Sequence, residues 1–165
     1  MTKGKSWKEY LSPLLIGHIL LIANIGFDIF VKQLTALEWL KNVGLVFIIM
    51  VVILWFLPVY TLRKYGDINP NGSFLATTQL VDKGIYHLIR HPQYLSFMFL
   101  NAGLACINQD AITILISISS IIFLIFGIKE EEHYLMDQFG EEYKAYQERV
   151  PSINIFAGIF RRIKK

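Results

Sequence analysis

The sequence predicts an all-α integral membrane protein with about four transmembrane helices and a C-terminal amphipathic helix. Hydrophobic residues make up 54% of the 165-residue chain, and the mean hydropathy of +0.45 is typical of a protein that uses lipid as its solvent. The apolar residues fall in long runs, and most Lys and Arg residues lie beside those runs. A chain of this length is expected to form one domain, residues 1–165.

Four apolar runs predict the membrane spans, because a helix needs about 20 apolar residues to cross a bilayer. The predicted spans cover residues 11–31, 43–62, 92–107 and 111–128. The first run is longer than the apolar core of a signal peptide and no small-residue cleavage site follows it, so it is interpreted as a membrane helix. The tight turn at 108–110 makes the last two spans an antiparallel hairpin.

Basic residues predict the orientation. All Lys and Arg residues except Lys32 and Lys41 belong to the terminal segments or to the 63–90 loop, which lie on one side of a four-span protein. The positive-inside rule therefore predicts a cell-membrane protein with both termini and this loop in the cytoplasm.

The composition argues against a nucleic-acid-binding protein and against a fold that disulfides stabilise. The basic residues flank apolar runs and form no face for a nucleic acid, so no nucleic-acid partner is expected. Cys106 is the one cysteine and lies in an apolar run, so no disulfide framework exists.

Residues 80–94 carry the first concentration of functional side chains. Pro92 has a fixed φ and no N–H, so it suits the first turn of the third span. Arg90, His91 and Tyr94 then lie at the entrance of that helix. Cations, ring donors and helix N-terminal amides at one membrane boundary favour binding of an anion.

Residues 129–150 form the second concentration. Apolar side chains recur there at helical spacing and predict an amphipathic helix on the cytoplasmic surface: Leu135, Phe139, Tyr143, Tyr146 and Val150. Gly140 is expected to divide this helix and Pro151 to end it. The tail, residues 153–165, alternates apolar and basic residues and is expected to lie on anionic lipid.

Together these two regions resemble a known family. The first contributes Gly84-x-Tyr86 and Arg90-His91-Pro92-x-Tyr94; the second contributes a Glu-Glu-x-x-Leu-x-x-x-Phe-Gly-x-x-Tyr-x-x-Tyr pattern that begins at Glu131. This pair of motifs is similar to that of the isoprenylcysteine carboxyl methyltransferase family, which is related to phospholipid methyltransferases. Its members are small integral-membrane enzymes that use S-adenosylmethionine. The resemblance covers residues 76–151.

The resemblance implies a cytoplasmic cofactor-binding region made of residues 76–94 and 129–150. His91 and Tyr94 would hold the amino-acid end of S-adenosylmethionine, Tyr86 would pack on the cofactor, and Glu131 would accept hydrogen bonds from it. The whole implied set is Gln79, Leu80, Val81, Tyr86, His91, Pro92, Tyr94 and Glu131, with the main chain of the first three near the adenosine. Glu130, the preceding acid, is expected to be solvated.

The methyl group of a sulfonium is already activated, so the protein must chiefly align the reactants and exclude water. A carboxylate acceptor needs no base, whereas a hydroxyl or amine acceptor needs one, and Glu132 or His133 is the candidate. Arg90 and Gly127 are candidate substrate-binding positions.

Gly127 departs from the resembled family, whose prenylcysteine-methylating members carry an arginine one turn before the inward glutamate. Lys129 projects about 200° around the helix from Gly127 and is a poor substitute. Because an unpaired carboxylate near the membrane would be costly, the sequence predicts a neutral lipophilic acceptor in place of a prenylcysteine carboxylate.

Other hypotheses remain open at this point. One is a membrane reductase of the steroid-reductase type that binds NADPH, and another is a non-catalytic membrane scaffold. A metal site built on His87, His91 and His133 is a weaker hypothesis, and no metal is predicted. The expected partners are membrane lipids and a lipophilic small-molecule, prenylated or lipid substrate. The oligomeric state is not predicted.

Overall fold

This computed structural model of the protein describes residues 12–30, 37–66 and 79–163, without the side chains of residues 12 and 28–30. The described part is all-helical and contains no strand. Its α-helices are α1 (Ser12–Phe30), α2 (Glu38–Tyr65), α3 (Pro92–Asn108), α4 (Ala111–Phe139), α5 (Glu141–Arg149) and α6 (Ile155–Ile163), and a 3₁₀ turn covers Gly84–His87. The helical class of the fold is therefore confirmed.

Two of these helices are long and apolar enough to cross a membrane, namely α2 and α4. The apolar part of α1, Pro13–Phe27, is shorter, and α3 has 17 residues. All four predicted spans are helical in their described parts. Helix α4 continues beyond the fourth predicted span, 111–128, through residues 129–139 as one helix of 29 residues, and the end of the span at residue 128 stays a prediction.

The chain separates into two compact units. The first contains the described residues of 1–52 and 96–134, and the second contains those of 53–95 and 135–165. The expectation that residues 1–165 act as a single domain stays a prediction.

In the first unit, hydroxyl and amide groups join α1 to α4. Buried small and apolar residues recur every three or four positions along α4: Thr113, Ser117, Ser120, Leu124 and Gly127. The Asn24 side-chain Nδ2 donates to Ser117 Oγ at 2.8 Å, and Ser120 Oγ donates to the Gly17 carbonyl at 2.9 Å. Small residues and side-chain hydrogen bonds hold membrane helices together where lipid provides no hydrophobic force between them. Asn24, a polar residue within the first apolar run, is therefore buried between these two helices.

A glycine contact joins α2 to α3 in the same unit. A Cβ atom at Gly44 would lie 2.8 Å from the Gly103 carbonyl oxygen and 2.7 Å from Ile107 Cγ1. A Cβ atom at Gly103 would in turn lie 3.2 Å from the Gly44 oxygen. The two backbones approach so closely that neither position has free space for a side chain.

The α3–α4 turn lies beside the residue that precedes α2. Gln109 accepts from the Leu37 amide at 2.8 Å and donates to the Leu37 carbonyl at 3.1 Å. Asp110 Oδ1 accepts from the amides of Ile112 and Thr113 and so caps α4. The predicted tight turn at 108–110 is confirmed, and it shares one end of this unit with the start of α2.

The glycine contact gives a matched stability test. Gly44→Ala should be less stable than Gly26→Ala by about 1–3 kcal/mol, because a Cβ atom has nothing within 4 Å at Gly26 but meets packed atoms at Gly44. Both positions are helical, so the gain in helix propensity is shared and cancels. Thermal unfolding in detergent, followed by circular dichroism, measures the difference. Equal midpoints for the two variants would show that α2 and α3 do not pack through these glycines.

Candidate functional site

The first motif begins at a turn that only glycine fits easily. Gly84 has φ of +57°, in the left-handed region that disfavours L side chains. A Cβ atom there would also lie 2.7 Å from Thr61 Oγ1, near the end of α2. Gly84 therefore serves both the backbone conformation of the 3₁₀ turn and its close approach to α2.

Arg90 fixes the residues just before α3. Its Nη1 donates to the Gln147 carbonyl at 2.9 Å and also to the Val150 carbonyl. Its backbone amide donates to the carbonyls of Pro151 and Ser152, each at 3.0 Å. The guanidinium thus binds the end of α5, while a substrate contact for Arg90 stays a prediction.

Two further contacts bind the first motif to α5. Asp82 pairs with His87 Nδ1 at 2.8 Å through one oxygen and with Arg149 Nη2 at 3.0 Å through the other. The Tyr146 hydroxyl donates to the Tyr86 carbonyl at 2.6 Å. Burial, together with the Asp82 charge, raises the pKa of Tyr146. The phenol therefore stays protonated and remains a donor.

A small apolar core lies beneath these contacts. It consists of buried residues of the second motif with partly buried neighbours around them: Tyr143, Tyr146, Val150, Leu80, Leu135, Met136 and Phe139. Gly140, at φ +55°, separates α4 from α5, and α5 ends at Arg149, before Pro151. The predicted apolar face, the break and the end of the helix are all confirmed.

His91, Pro92 and Tyr94 are buried at the N-terminus of α3. The His91 amide donates to the Ser152 carbonyl at 3.0 Å, and the His91 carbonyl accepts the Leu95 amide in the first turn. The rings of His91 and Tyr94 meet edge to face with centroids 5.5 Å apart. Pro92 occupies the first helical position, as predicted.

The second unit also contains an open pocket of about 260 Å³, a volume that includes the solvent at its mouth. Its walls are Tyr65, Gln79, Leu80, Val81, Asp82 and Lys83. Gln79 Nε2 donates to the Tyr65 carbonyl at 2.8 Å, and Lys83 Nζ lies 5.0 Å from the centre of the Tyr65 ring. The three residues expected near the adenosine thus border one cavity with an aromatic ring.

The remaining predicted positions lie on α4, in the first unit. Gly127 is buried, Glu131 and Glu132 are half-buried, and His133 is exposed. Lys129 Nζ lies 5.9 Å from the centre of the Phe126 ring.

The expectation for Glu130 is wrong. Its side chain is half-buried, and Oε2 is fully buried with no hydrogen-bond partner among the described residues. The helical angle places Glu130 about 100° from Glu131, outside the buried stripe. Burial of a long side chain depends on what packs beside the helix, and an angle does not report that.

All the predicted positions from Gln79 to Tyr94 belong to the second unit: Gln79, Leu80, Val81, Tyr86, Arg90, His91, Pro92 and Tyr94. That they form one cofactor site stays a prediction. Sequence reasoning missed Asp82, Arg149 and the Tyr65 ring. Asp82 and Arg149 pair across 67 positions of sequence, and no local pattern signals such a pair. Within the described ranges, no three His, Cys, Asp or Glu side chains form a possible metal centre.

Comparison with known proteins finds one family. The profile of phospholipid methyltransferases matches residues 39–142, which include the first motif and the start of the second. Over 155 residues the chain is 32% identical to protein-S-isoprenylcysteine O-methyltransferase B of Arabidopsis thaliana, covering 88% of this chain and 73% of that protein. Over 126 residues it is 28% identical to protein-S-isoprenylcysteine O-methyltransferase of Rattus norvegicus, which covers 76% of this chain and 44% of the rat protein. Over 74 residues it is 36% identical to the Schizosaccharomyces pombe protein of that name, which covers 44% of this chain and 31% of the yeast protein.

The chain thus spans most of the Arabidopsis protein but less than half the length of the other two. No solved structure matches it.

The bond between Tyr146 and the Tyr86 carbonyl gives a test of how the first motif is held. Tyr146→Phe should lower the free energy of unfolding by about 1–3 kcal/mol, because it removes the phenol donor from the part-buried Tyr86 carbonyl. Tyr60→Phe is the matched control, since Tyr60 is 62% exposed. Thermal unfolding in detergent compares the two variants. A larger loss from the control would show that this hydrogen bond does not stabilise the unit.

Proposed function

Because the chain belongs to the phospholipid methyltransferase family and is a methyltransferase, we propose a specific transfer reaction for it. It moves the methyl group of S-adenosylmethionine to a lipophilic acceptor at the membrane surface. The observation that carries this proposal is the anchored segment of Arg90 to Tyr94, which places the Arg-His-Pro-x-Tyr motif at the start of α3. The reductase and scaffold alternatives find no support, because the named relatives are methyltransferases.

The residues of the second unit fit the cofactor by their chemistry. His91 and Tyr94 offer ring N–H and phenol donors at a helix N-terminus, where the helix dipole favours the carboxylate of an amino acid. The pocket bordered by Gln79, Leu80 and Val81 offers main-chain groups and the nearby Tyr65 ring, which suit a nucleoside. When bound, the cofactor supplies an electrophilic methyl group on a sulfonium.

Glu131 completes the proposed set. Its carboxylate would accept from the ammonium or the ribose hydroxyls of the cofactor, since a carboxylate is an acceptor only. Tyr86 would pack on the cofactor. Its carbonyl is fixed by Tyr146, which holds the backbone of the 3₁₀ turn in place.

In the transfer itself, the protein's task is alignment and exclusion of water. A carboxylate acceptor attacks without losing a proton. A hydroxyl or amine acceptor must give up a proton, and Glu132 or His133 is the proposed base. His133 is exposed and Glu132 is half-buried, so either side chain can exchange a proton with water.

For the acceptor we propose first the carboxylate of a prenylated cysteine, because the relatives are named isoprenylcysteine O-methyltransferases. A neutral lipophilic acceptor is the second candidate, and a specific observation favours it. Gly127 is buried and brings no cation to the turn before Glu131, and Lys129 is directed to the Phe126 ring.

We also propose four spans with both termini and the cofactor site in the cytoplasm. The chain is helical at all four predicted spans, and Gln109 pairs with Leu37 at one end of the first unit. The basic residues are concentrated in the terminal segments and in the 63–90 loop, which the positive-inside rule assigns to the cytoplasm.

Cofactor binding tests the proposed site. His91→Ala, Tyr94→Phe and Glu131→Gln should each weaken S-adenosylmethionine binding by about 1–3 kcal/mol, the cost of one charged hydrogen bond. Isothermal titration calorimetry in detergent measures this. Glu141→Gln is the control, because the side chain is 87% exposed; Glu130 is unsuitable since one of its oxygens is buried. Wild-type affinity in Glu131→Gln would remove Glu131 from the cofactor site.

Methyl transfer tests the acceptor. With labelled S-adenosylmethionine, N-acetyl farnesylcysteine should be methylated faster than a long-chain phenol and should form a base-labile ester. Faster transfer to the phenol would favour the neutral acceptor that Gly127 suggests. Transfer to neither, with cofactor binding intact, would refute both acceptor classes.

The topology is tested by labelling single cysteines in a Cys106→Ala background. A cysteine at Glu141 should be protected from an impermeant thiol reagent in intact cells, and a cysteine at Ala111 should be labelled. Both positions are exposed in the structure, and Ala111 avoids the contact between Gln109 and Leu37. The opposite labelling pattern would show that the protein has the inverse orientation and that the cofactor site does not face the cytoplasm.

A further inference from the structure

Helix α6 is attached to the second unit by its least bulky side. A Cβ atom at Gly158 would lie 2.1 Å from the Leu88 carbonyl oxygen, so the α6 backbone rests directly on Leu88. Arg161 Nη1 donates to the Glu148 carbonyl at 3.1 Å. At the start of the helix, Asn154 Oδ1 accepts from the Ala157 amide at 2.9 Å. The helix is therefore fixed in place.

The opposite side of α6 carries its large apolar residues. Phe156 is 77% exposed, Phe160 66% and Ile163 76%. With Ile159 they cover an arc of about 100° of the helix surface. A surface helix of a water-soluble protein normally turns its apolar stripe to the core. Here glycine faces the protein and the aromatic rings face outward, so the apolar face needs a partner outside the described chain.

The length and charge of α6 identify that partner. Nine residues extend about 14 Å, too short for the roughly 30 Å of a bilayer core. Arg161 and Arg162 lie on either side of the inward-facing Gly158, at the edges away from the apolar arc. Lys164 and Lys165 follow in the sequence. Apolar residues on one face, with only basic charges on the helix, are the pattern of a helix that lies in the interface of an anionic membrane.

We propose that α6 is an interfacial anchor, with Phe156, Phe160 and Ile163 inserted below the headgroups and the arginines bound to anionic phospholipid of the same bilayer. The anchor also acts on the first motif. Because the α6 backbone rests on Leu88, two residues before Arg90, it holds the start of α3 at a set depth beside the lipid surface. This proposal concerns membrane contact and does not depend on the methyl-transfer reaction.

The test uses the full chain reconstituted in nanodiscs, with Cys106→Ala and a single cysteine that carries an environment-sensitive fluorophore. The reporter is Phe160→Cys, and Lys144→Cys, on the exposed face of α5, is the matched control. Emission and quenching by nitroxide-labelled lipid are measured in phosphatidylcholine alone and in phosphatidylcholine mixed with phosphatidylglycerol.

We expect blue-shifted emission and lipid quenching at position 160, both stronger with phosphatidylglycerol, and water-like emission at position 144. Replacing Arg161 and Arg162 by Gln should reduce the inserted population in the anionic discs roughly fivefold per charge. In phosphatidylcholine alone, Arg162→Gln should have little effect, whereas Arg161→Gln also removes the bond to the Glu148 carbonyl.

Three results would overturn the proposal. Water-like emission at position 160 in both lipids would show that α6 does not enter the membrane. Shielding without lipid quenching would indicate that a second copy of the chain covers the apolar face. Equal insertion in both lipids, unchanged by the arginine substitutions, would show that anionic lipid is not the partner.

Discussion

The last carbonyls of α5 have no amide within the helix to accept from. The hydrogen bonds made at this end of the helix position the other segments of the second unit. Arg90 supplies a donor to one of them, Gln147, and also to the three residues that follow α5. Its guanidinium binds the Gln147 and Val150 carbonyls, and its backbone amide donates to Pro151 and Ser152. A half-buried cation thereby gains hydrogen bonds, and the chain that follows it is placed at the start of α3. The positions of His91 and Tyr94 follow from this one interaction between segments about 60 residues apart.

The first unit is held by a different constraint, because lipid provides no hydrophobic force between helices. The backbones of α2 and α3 touch at Gly44 and Gly103. Between α1 and α4, the amide of Asn24 and the hydroxyl of Ser120 make the contacts. These positions carry no chemistry in the proposed reaction. Their role is to fix α4, whose next turns bear the acidic residues.

Polar and apolar faces in this protein do not follow the pattern of a water-soluble one. Glu130 has a buried oxygen, whereas Phe156 and Phe160 are exposed. Lipid would solvate the exposed aromatic side chains, as proposed for α6, whereas the buried Glu130 oxygen has no hydrogen-bond partner among the described residues.

The sequence by itself determined the helical class, the tight turn at 108–110, the helix start at Pro92 and the apolar face from Leu135 to Val150. Each is a local property: an apolar run, a residue without N–H, a spacing of three or four. Only the tertiary structure decided that Asp82 pairs with Arg149, that Arg90 binds the end of α5, and that Gly158 rests on Leu88. These contacts join residues that are distant in the chain. Which residues pair depends on packing and on backbone groups that still need a hydrogen-bond partner. Neither produces a periodic pattern in the sequence.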